Sequence, residues 1–216
     1  MRIGIIGTGS LGSAIGGLFA RHGHEVRFGS RDAARAQAVA APLKAQGGSY
    51  SQAIAASELS FFCIPWEHAS GALAQLGDTA GRILVDCSNP ETPDGRSLDI
   101  GFDQSGAERI AERLPGACLL KAFNHVYAEW LTDDALLRRH VPTVMYCGDD
   151  ADAKRSLAAL LRSCGLDALD SGPLRNARYL EPVAMLMVHL VREQGWGPTG
   201  IALQFSRQQP GVPAPP

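Results

Sequence analysis

The chain has little of what marks nucleic-acid-binding or membrane proteins. Its 216 residues carry 20 Lys and Arg against 22 Asp and Glu, so the net charge is -2 and no basic excess suits a nucleic acid. No apolar run reaches the roughly 18 to 20 residues that a membrane-spanning helix needs, and no charged leader precedes an apolar segment. We therefore expect a soluble, cytoplasmic protein that binds neither nucleic acid nor membrane.

Cysteine is also scarce and shows no pairing pattern. The five cysteines are odd in number, lack Cys-x-x-Cys spacing and mostly fall inside apolar, strand-like segments; they are Cys63, Cys87, Cys118, Cys147 and Cys164. This pattern is typical of buried free thiols, and it favours neither a disulfide framework nor a metal site.

The first 23 residues have the pattern of a strand, a glycine-rich turn and a helix. Apolar residues 3–6 run into Gly7, Gly9 and Gly12, and helically spaced apolar residues follow until Gly23. In a dinucleotide site the first glycine permits a tight turn, the second lets the backbone approach a pyrophosphate, and the third lets the helix lie close to the strand. The N-terminus of that helix adds unpaired N–H groups. The motif therefore predicts dinucleotide binding.

The end of the second strand predicts which dinucleotide is bound. An NAD site carries an acidic residue there for the ribose 2′-hydroxyl, whereas an NADP site needs cations and hydroxyls for the 2′-phosphate. Ser30, Arg31 and Arg35 stand at this junction, and a guanidinium group suits a phosphate dianion. Asp32 stands there too, and we interpret it as a favourable charge at the next helix N-terminus. The junction favours NADP(H); the alternative is that both arginines are solvated helix charges.

Strands and helices alternate along the chain. The fully apolar segment 59–64 suits a parallel strand that is buried on both faces. Further strands are predicted at 2–6, 24–29, 82–87 and 117–123, with shorter ones at 49–50, 143–147 and 166–169. A long helix is predicted at 174–194, which Pro182 should kink or divide. We therefore predict an α/β fold with a doubly wound parallel sheet of the Rossmann type over 1–172, a small C-terminal helical region over 173–207 and a disordered tail over 208–216.

The carboxyl ends of three apolar strands should meet at one edge of the sheet, where doubly wound folds bind ligands. These strands run into Pro65, Asn89 and Asn124. We expect Ile64 and Pro65 to pack against the cofactor rings, and the loop after Asn89 is long enough to be functional. We hypothesise that His125 hydrogen-bonds the substrate or the nicotinamide amide; the alternative is a structural histidine.

Eight segments, in chain order, carry a family resemblance. They are GTGSLGSAIGGLFARHGHEV, FGSRD, IPWE, DCSNP, KAFNHV, VMYCGDD, LDSGPLRNARYLEPVAML and GWGPTGIALQF. With them the chain resembles the family of NADP reductases that use the deazaflavin coenzyme F420. It is also similar to the cytoplasmic NADP domain of the six-transmembrane metalloreductases.

The resemblance implies hydride transfer between NADP(H) and a deazaflavin or flavin as the second, small-molecule redox substrate, and we expect a homodimer. By position, the pyrophosphate would be held by Gly7, Thr8, Gly9, Ser10, Leu11 and Gly12, and the 2′-phosphate by Ser30, Arg31 and Arg35. Pro65 and Asn124 would flank the nicotinamide. The acceptor ring would lie between the strand ends and the C-terminal helical region.

Two other functions stay open at this point. Hydride transfer between two ring cofactors needs stacking and exclusion of water, and the sequence shows no clear catalytic pair. A small carbonyl or imine reductase would instead need a proton donor such as Lys121, His125 or Tyr127. A non-catalytic NADP-sensing module would use the same glycine turn to bind its ligand.

Overall fold

A computed structural model describes residues 1–207, and the tail predicted at 208–216 lies outside the described residues. The described part of the chain forms one eight-stranded sheet in the order β3-β2-β1-β4-β5-β6-β7-β8. The strands are β1 (Arg2–Ile6), β2 (Glu25–Gly29), β3 (Gln46–Gly48), β4 (Leu59–Phe62), β5 (Ile83–Asp86), β6 (Cys118–Ala122), β7 (Thr143–Gly148) and β8 (Asp167–Asp170). The predicted α/β fold of the Rossmann type is confirmed.

Helices connect the strands. They are α1 (Ser10–Arg21), α2 (Ala33–Ala40), α3 (Tyr50–Ala56), α4 (Trp66–Leu73), α5 (Gly106–Arg113), α6 (Ala128–Thr132), α7 (Asp134–Arg139), α8 (Ala151–Ser163) and α9 (Ala177–Gln194). Capping boxes begin two of them, with Ser49 before α3 and Ser105 before α5, each paired with a Gln or Glu three residues on. None of the helices among residues 1–207 has both the length and the apolarity required to cross a membrane.

Helices cover both faces of the sheet, which explains the continuous apolar strands. In β4, Phe61 packs on one side of the sheet with Phe19 and Phe123, while Phe62 packs on the other with Leu84 and other buried residues. The ring centroids of Phe19 and Phe61 are 5.0 Å apart. Neither face of such a strand meets water, so no polar alternation is expected.

The last strands and the C-terminal helix differ from the expectations. β7 is antiparallel to β6, whereas the other neighbouring pairs in the described sheet are parallel. A short apolar run carries no information about its direction, so the sequence did not predict this reversal. The strand expected at 49–50 lies instead at Gln46–Gly48, because Ser49 caps a helix. α9 continues through Pro182 as one helix of 18 residues.

Candidate functional site

A pocket of about 470 Å³ lies at the carboxyl ends of the central strands. The chain proceeds from β1 to β2 and β3 on one side of the sheet and to β4 and later strands on the other, so this is the topological switch point where such folds bind ligands. Seven of the predicted site residues line the pocket, namely Gly9, Ser10, Leu11, Ile64, Pro65, Asn89 and Asn124. The structure therefore brings together the glycine turn and three strand ends that are distant in sequence.

The three glycines of the turn differ in what surrounds them. Gly7 has φ +117°, and a Cβ there would lie 2.5 Å from the carbonyl oxygen of Cys63. A Cβ on Gly12 would lie 2.5 Å from the carbonyl oxygen of Gly7, so helix and turn need a glycine at both positions. A Cβ on Gly9 would meet nothing within 4 Å. Gly9 is thus free of packing constraints and leaves an open cradle toward the pocket.

The N-terminus of α1 fits an anionic ligand. Gly9 is its N-cap residue and has no side chain to accept from the first helical N–H groups, and the first turn contains no acidic residue. By contrast, Asp150 and Ser105 accept from N–H groups at the starts of α8 and α5. A helix of 12 residues with this uncapped end presents free donors and a positive dipole end to a pyrophosphate.

The corner at the end of β2 contains one carboxylate and two arginines. The carboxylate is already hydrogen-bonded to the backbone. Oδ1 of Asp32 accepts from the backbone N–H of Ala34 at 2.9 Å and of Arg35 at 3.3 Å, so the carboxylate caps α2 as the sequence suggested. Arg31 and Arg35 are exposed, and within residues 1–207 neither is in an ion pair. Ser30, Arg31 and Arg35 do not line the 470 Å³ pocket; Ser30 is buried and the two arginines are exposed.

Two asparagine side chains join the ends of β5 and β6. The Asn89 amide donates to the Asn124 carbonyl at 2.9 Å, and the Asn124 amide donates to Oδ1 of Asn89 at 3.0 Å and to the Leu180 carbonyl at 3.0 Å. Phe123, just before Asn124, is fully buried with φ +61°, a backbone conformation that costs free energy and is held by its surroundings. This arrangement aims Asn124 at the pocket.

His125 does not reach the pocket. Its side chain is buried. Nε2 lies 3.1 Å from the Thr143 carbonyl oxygen, to which it donates in one tautomer, and 3.3 Å from the Met145 nitrogen, whose N–H donates to it in the other. Nδ1 lies 3.2 Å from Oδ1 of Asn124. Burial lowers the pKa of His125 to about 4, so the ring is neutral. This geometry does not support direct contact with a substrate and favours the structural alternative.

A buried ionic network lies beneath the two asparagines. Lys121 is fully buried, and its Nζ donates to Oδ2 of Asp86 at 2.8 Å, to Oε1 of Glu181 at 2.8 Å and to the Ser88 carbonyl at 2.5 Å. Burial by itself would lower the pKa of Lys121, but the two carboxylates outweigh burial and raise it. Lys121 is therefore held in its charged form between the two carboxylates, and it does not line the pocket. Glu181 also accepts from the N–H groups of Gly106 and Ala107 at the start of α5.

The sequence interpretation missed Asp86 and Glu181. Both occur within apolar segments, a strand and the buried face of a helix. A charged residue in a segment otherwise expected to be fully buried is a usable signal, because such a charge needs a buried partner.

The predicted long loop forms one wall of the pocket. Residues 91–95 line it together with Arg192 from the end of α9. The Arg192 guanidinium donates to the Gly95 carbonyl, and Nε2 of His189 lies 2.9 Å from the Arg96 carbonyl oxygen. α9 thus holds the loop over the strand ends. A second cavity of about 550 Å³ lies on the other side and shares Trp66, Glu67, Glu91 and Pro93 with the first.

Together, the fold and the site define a nucleotide-binding oxidoreductase of the Rossmann type. A family model described as NADP oxidoreductase, coenzyme F420-dependent, matches residues 2–90. The F420-dependent NADP reductase of Methanothermobacter thermautotrophicus is 30% identical over 212 residues, with 88% of this chain and 89% of the relative covered. The chain belongs to the family of F420-dependent NADP reductases, which are NADP-dependent oxidoreductases. The predicted resemblance is confirmed.

Solved structures agree. A crystal structure from Arthrobacter sp. FB24, assigned as an F420-dependent NADP reductase, superposes with a TM-score of 0.83 at 28% identity, covering 96% of this chain and all of that one. An imine reductase from Streptomyces aurantiacus has a TM-score of 0.65 at 22% identity over 91% of this chain and 64% of that one, which is a likeness of fold.

Metalloreductase STEAP3 of Rattus norvegicus is 30% identical over 187 residues, or 87% of this chain. This chain spans only 37% of the length of that relative. The similarity to metalloreductases that the sequence indicated is confirmed for this part of their length.

Proposed function

We propose that the pocket binds NADP(H) and that the protein transfers a hydride between its nicotinamide and a flavin- or deazaflavin-type acceptor. The observation that carries this proposal is the open cradle at Gly9 before the uncapped N-terminus of α1, at the switch point of the sheet. Gly7, Thr8, Gly9, Ser10, Leu11 and Gly12 supply the turn that seats the pyrophosphate. The relatives named F420-dependent NADP reductases support the acceptor class.

Ser30, Arg31 and Arg35 hold the 2′-phosphate in this proposal. Because the Asp32 carboxylate already caps α2, it is less available to a ribose hydroxyl, and the two exposed guanidinium groups dominate the corner. Such groups form charge-assisted hydrogen bonds with a phosphate dianion. The corner therefore supports NADP(H) over NAD(H).

Residues at the strand ends orient the nicotinamide. Ile64 and Pro65 supply an apolar surface on one side, while Asn89 and Asn124 face the pocket with polar groups held by the amide pair. Reduced nicotinamide, when bound, supplies the hydride. The surrounding walls keep water from the ring and hold an acceptor ring in stacking range.

The surface supports a dimer as the working form. Tyr179 and Leu186 of α9 and Trp196 beyond it are 62%, 59% and 59% exposed, which is unusual for side chains this apolar. We propose that a second copy covers this face in a homodimer. We also propose that the nucleotide-binding domain comprises residues 1–172, that residues 173–207 form a C-terminal helical region, and that the protein is cytoplasmic.

The test of the proposed function is cofactor binding and turnover with a panel of acceptors. We expect the wild type to bind NADPH more tightly than NADH and to oxidise NADPH with coenzyme F420, FMN, FAD or riboflavin. In the double variant Arg31→Ala/Arg35→Ala, NADPH binding should weaken by about 10- to 100-fold, as expected for lost charge-assisted hydrogen bonds, while NADH binding stays unchanged.

Arg155→Ala is the matched control, because Arg155 is also exposed on a helix but lies on α8. It should bind NADPH like the wild type. Equal loss of NADH and NADPH binding in the double variant would contradict the assigned corner. No turnover with any of the four acceptors would contradict the proposed reaction.

A further inference from the structure

Reduction of a flavin or deazaflavin takes up more than a hydride. The balanced reaction is acceptor plus NADPH plus H⁺ giving reduced acceptor plus NADP⁺, so a C–H bond of the nicotinamide breaks, a bond from hydride to the acceptor ring forms, and one acceptor nitrogen gains a proton. Resting on the proposed function, we propose that Glu91 is the acid–base residue that supplies this proton and recovers it in the reverse direction.

Glu91 stands where an acceptor ring would lie. It follows the end of β5 by a short turn, in which its N–H donates to the Asn89 carbonyl at 2.8 Å, and it forms an isolated antiparallel bridge with Leu98. Glu91 is a lining residue of both the 470 Å³ and the 550 Å³ cavities. Its backbone is thus anchored, and the residue lies at the boundary between the proposed cofactor site and the adjoining cavity.

The surroundings suit a carboxyl group that changes its charge. Burial raises the pKa of Glu91, against the opposing effects of Arg192 and of the Asn89 side chain. An acceptor ring that fills the pocket removes more water and moves the pKa further upward, toward the range in which a general acid works. Arg192 then stabilises the carboxylate that remains after the proton has left.

Other titratable groups line the two cavities together with Glu91. In the first cavity they are Cys63, Glu67, Cys87, Asp94 and Arg192, and in the second Glu67, Asp99, Arg109, Glu112 and Arg113. Tyr127, at the start of α6, carries a buried hydroxyl that has no hydrogen-bond partner among the described residues, and burial raises its pKa. The Tyr127 side chain does not line either cavity.

The groups that the sequence suggested as proton donors are unavailable. Lys121 is enclosed by two carboxylates, and the His125 ring is buried away from the pocket. Glu67 lines the same cavities, but its side chain is 63% exposed, so water competes with any proton transfer from it. Glu91 is the half-buried carboxyl group that lines both cavities.

The experiment compares pH profiles of NADPH-dependent acceptor reduction in the wild type, Glu91→Gln and Glu25→Gln, with NADPH affinity measured for each protein. Glu25 is an exposed glutamate that lines neither cavity, so it serves as the matched control. In the wild type, kcat should fall as the pH rises through the pKa of Glu91. In Glu91→Gln, kcat should drop by about 10²- to 10⁴-fold, the usual contribution of a positioned acid. The fall of kcat with rising pH, which is the basic limb of the profile, should also disappear. Glu25→Gln should keep both the pH dependence and the rate of the wild type.

NADPH binding should be unchanged in Glu91→Gln, which separates proton transfer from folding and cofactor binding. Glu91→Asp should restore the limb at a lower rate, because it keeps a titrating group on a shorter side chain. If Glu91→Gln turns over with the wild-type rate and profile, the inference is overturned while the proposed function stands. If the wild type neither binds NADPH nor reduces any acceptor, the proposed function itself fails.

Discussion

Replacing Lys121 with methionine tests the buried network beneath the site. The variant removes the cation that lies between Asp86 and Glu181, each of which accepts from Nζ at 2.8 Å. Methionine fills a similar volume but leaves two buried carboxylates facing each other without a neutralising charge. Removing one partner of a buried ionic network leaves uncompensated charge in a region of low dielectric constant, which is far more costly than losing an exposed pair.

The expected loss is about 3 to 5 kcal/mol in the free energy of unfolding near neutral pH. Domains of this kind have a total free energy of unfolding of about 5 to 15 kcal/mol, so the expected loss is a large fraction of it. Lys154→Met is the matched control: Nζ of Lys154 lies 3.0 Å from Oδ2 of Asp170, but the two side chains are 18% and 43% exposed. Its loss should stay below about 1 kcal/mol.

Urea unfolding of the wild type and both variants measures these losses directly. Equal losses in the two variants, or a Lys121→Met loss below about 1 kcal/mol, would refute the assignment of a charged, tightly paired lysine.

Two further predictions concern His125 and the glycine turn. The pKa of His125 is lower in the folded protein, about 4 against 6.5, so the unfolded state binds the proton more readily and stability is lost as the pH falls between these values. Over that window the wild type should lose about 3 kcal/mol more than His125→Gln, measured by urea unfolding; parallel curves would contradict a buried neutral ring. Gly9→Val should abolish NADPH binding with little change in stability, whereas Gly12→Val should lower the melting temperature because its Cβ collides with the Gly7 carbonyl. Calorimetry of both variants with and without NADPH distinguishes the two effects, and a stability loss shared by both would contradict the open cradle.

Most of the sheet was predictable because its signals are local. The apolar run at residues 59–64 identified a strand covered on both faces, observed at 59–62, and the glycine spacing after β1 identified a turn into a helix. Asp32 could be interpreted as a favourable charge at the start of an alanine-rich helix, and the structure shows in addition that its carboxylate caps that helix. The direction of β7 was not predictable, since parallel and antiparallel partners can carry the same apolar pattern.

For the candidate site, too, some features could be predicted from the sequence and others could not. The neighbouring strand ends at Pro65, Asn89 and Asn124 could be placed at one edge, because parallel strands end on the same side of a sheet. The orientation of His125 could not, because whether the ring faces the pocket or the core depends on Phe123, whose positive φ has no sequence signal in a non-glycine residue.

The sequence by itself determined the cofactor turn, the basic corner and the strands that carry them, because each is encoded by residues that are close together in the chain. Only the tertiary structure decided which charges meet. Lys121 joins Asp86 across 35 residues and Glu181 across 60, and Arg192 reaches the Gly95 carbonyl across 97. Such pairings depend on where whole elements pack, and no local pattern specifies that.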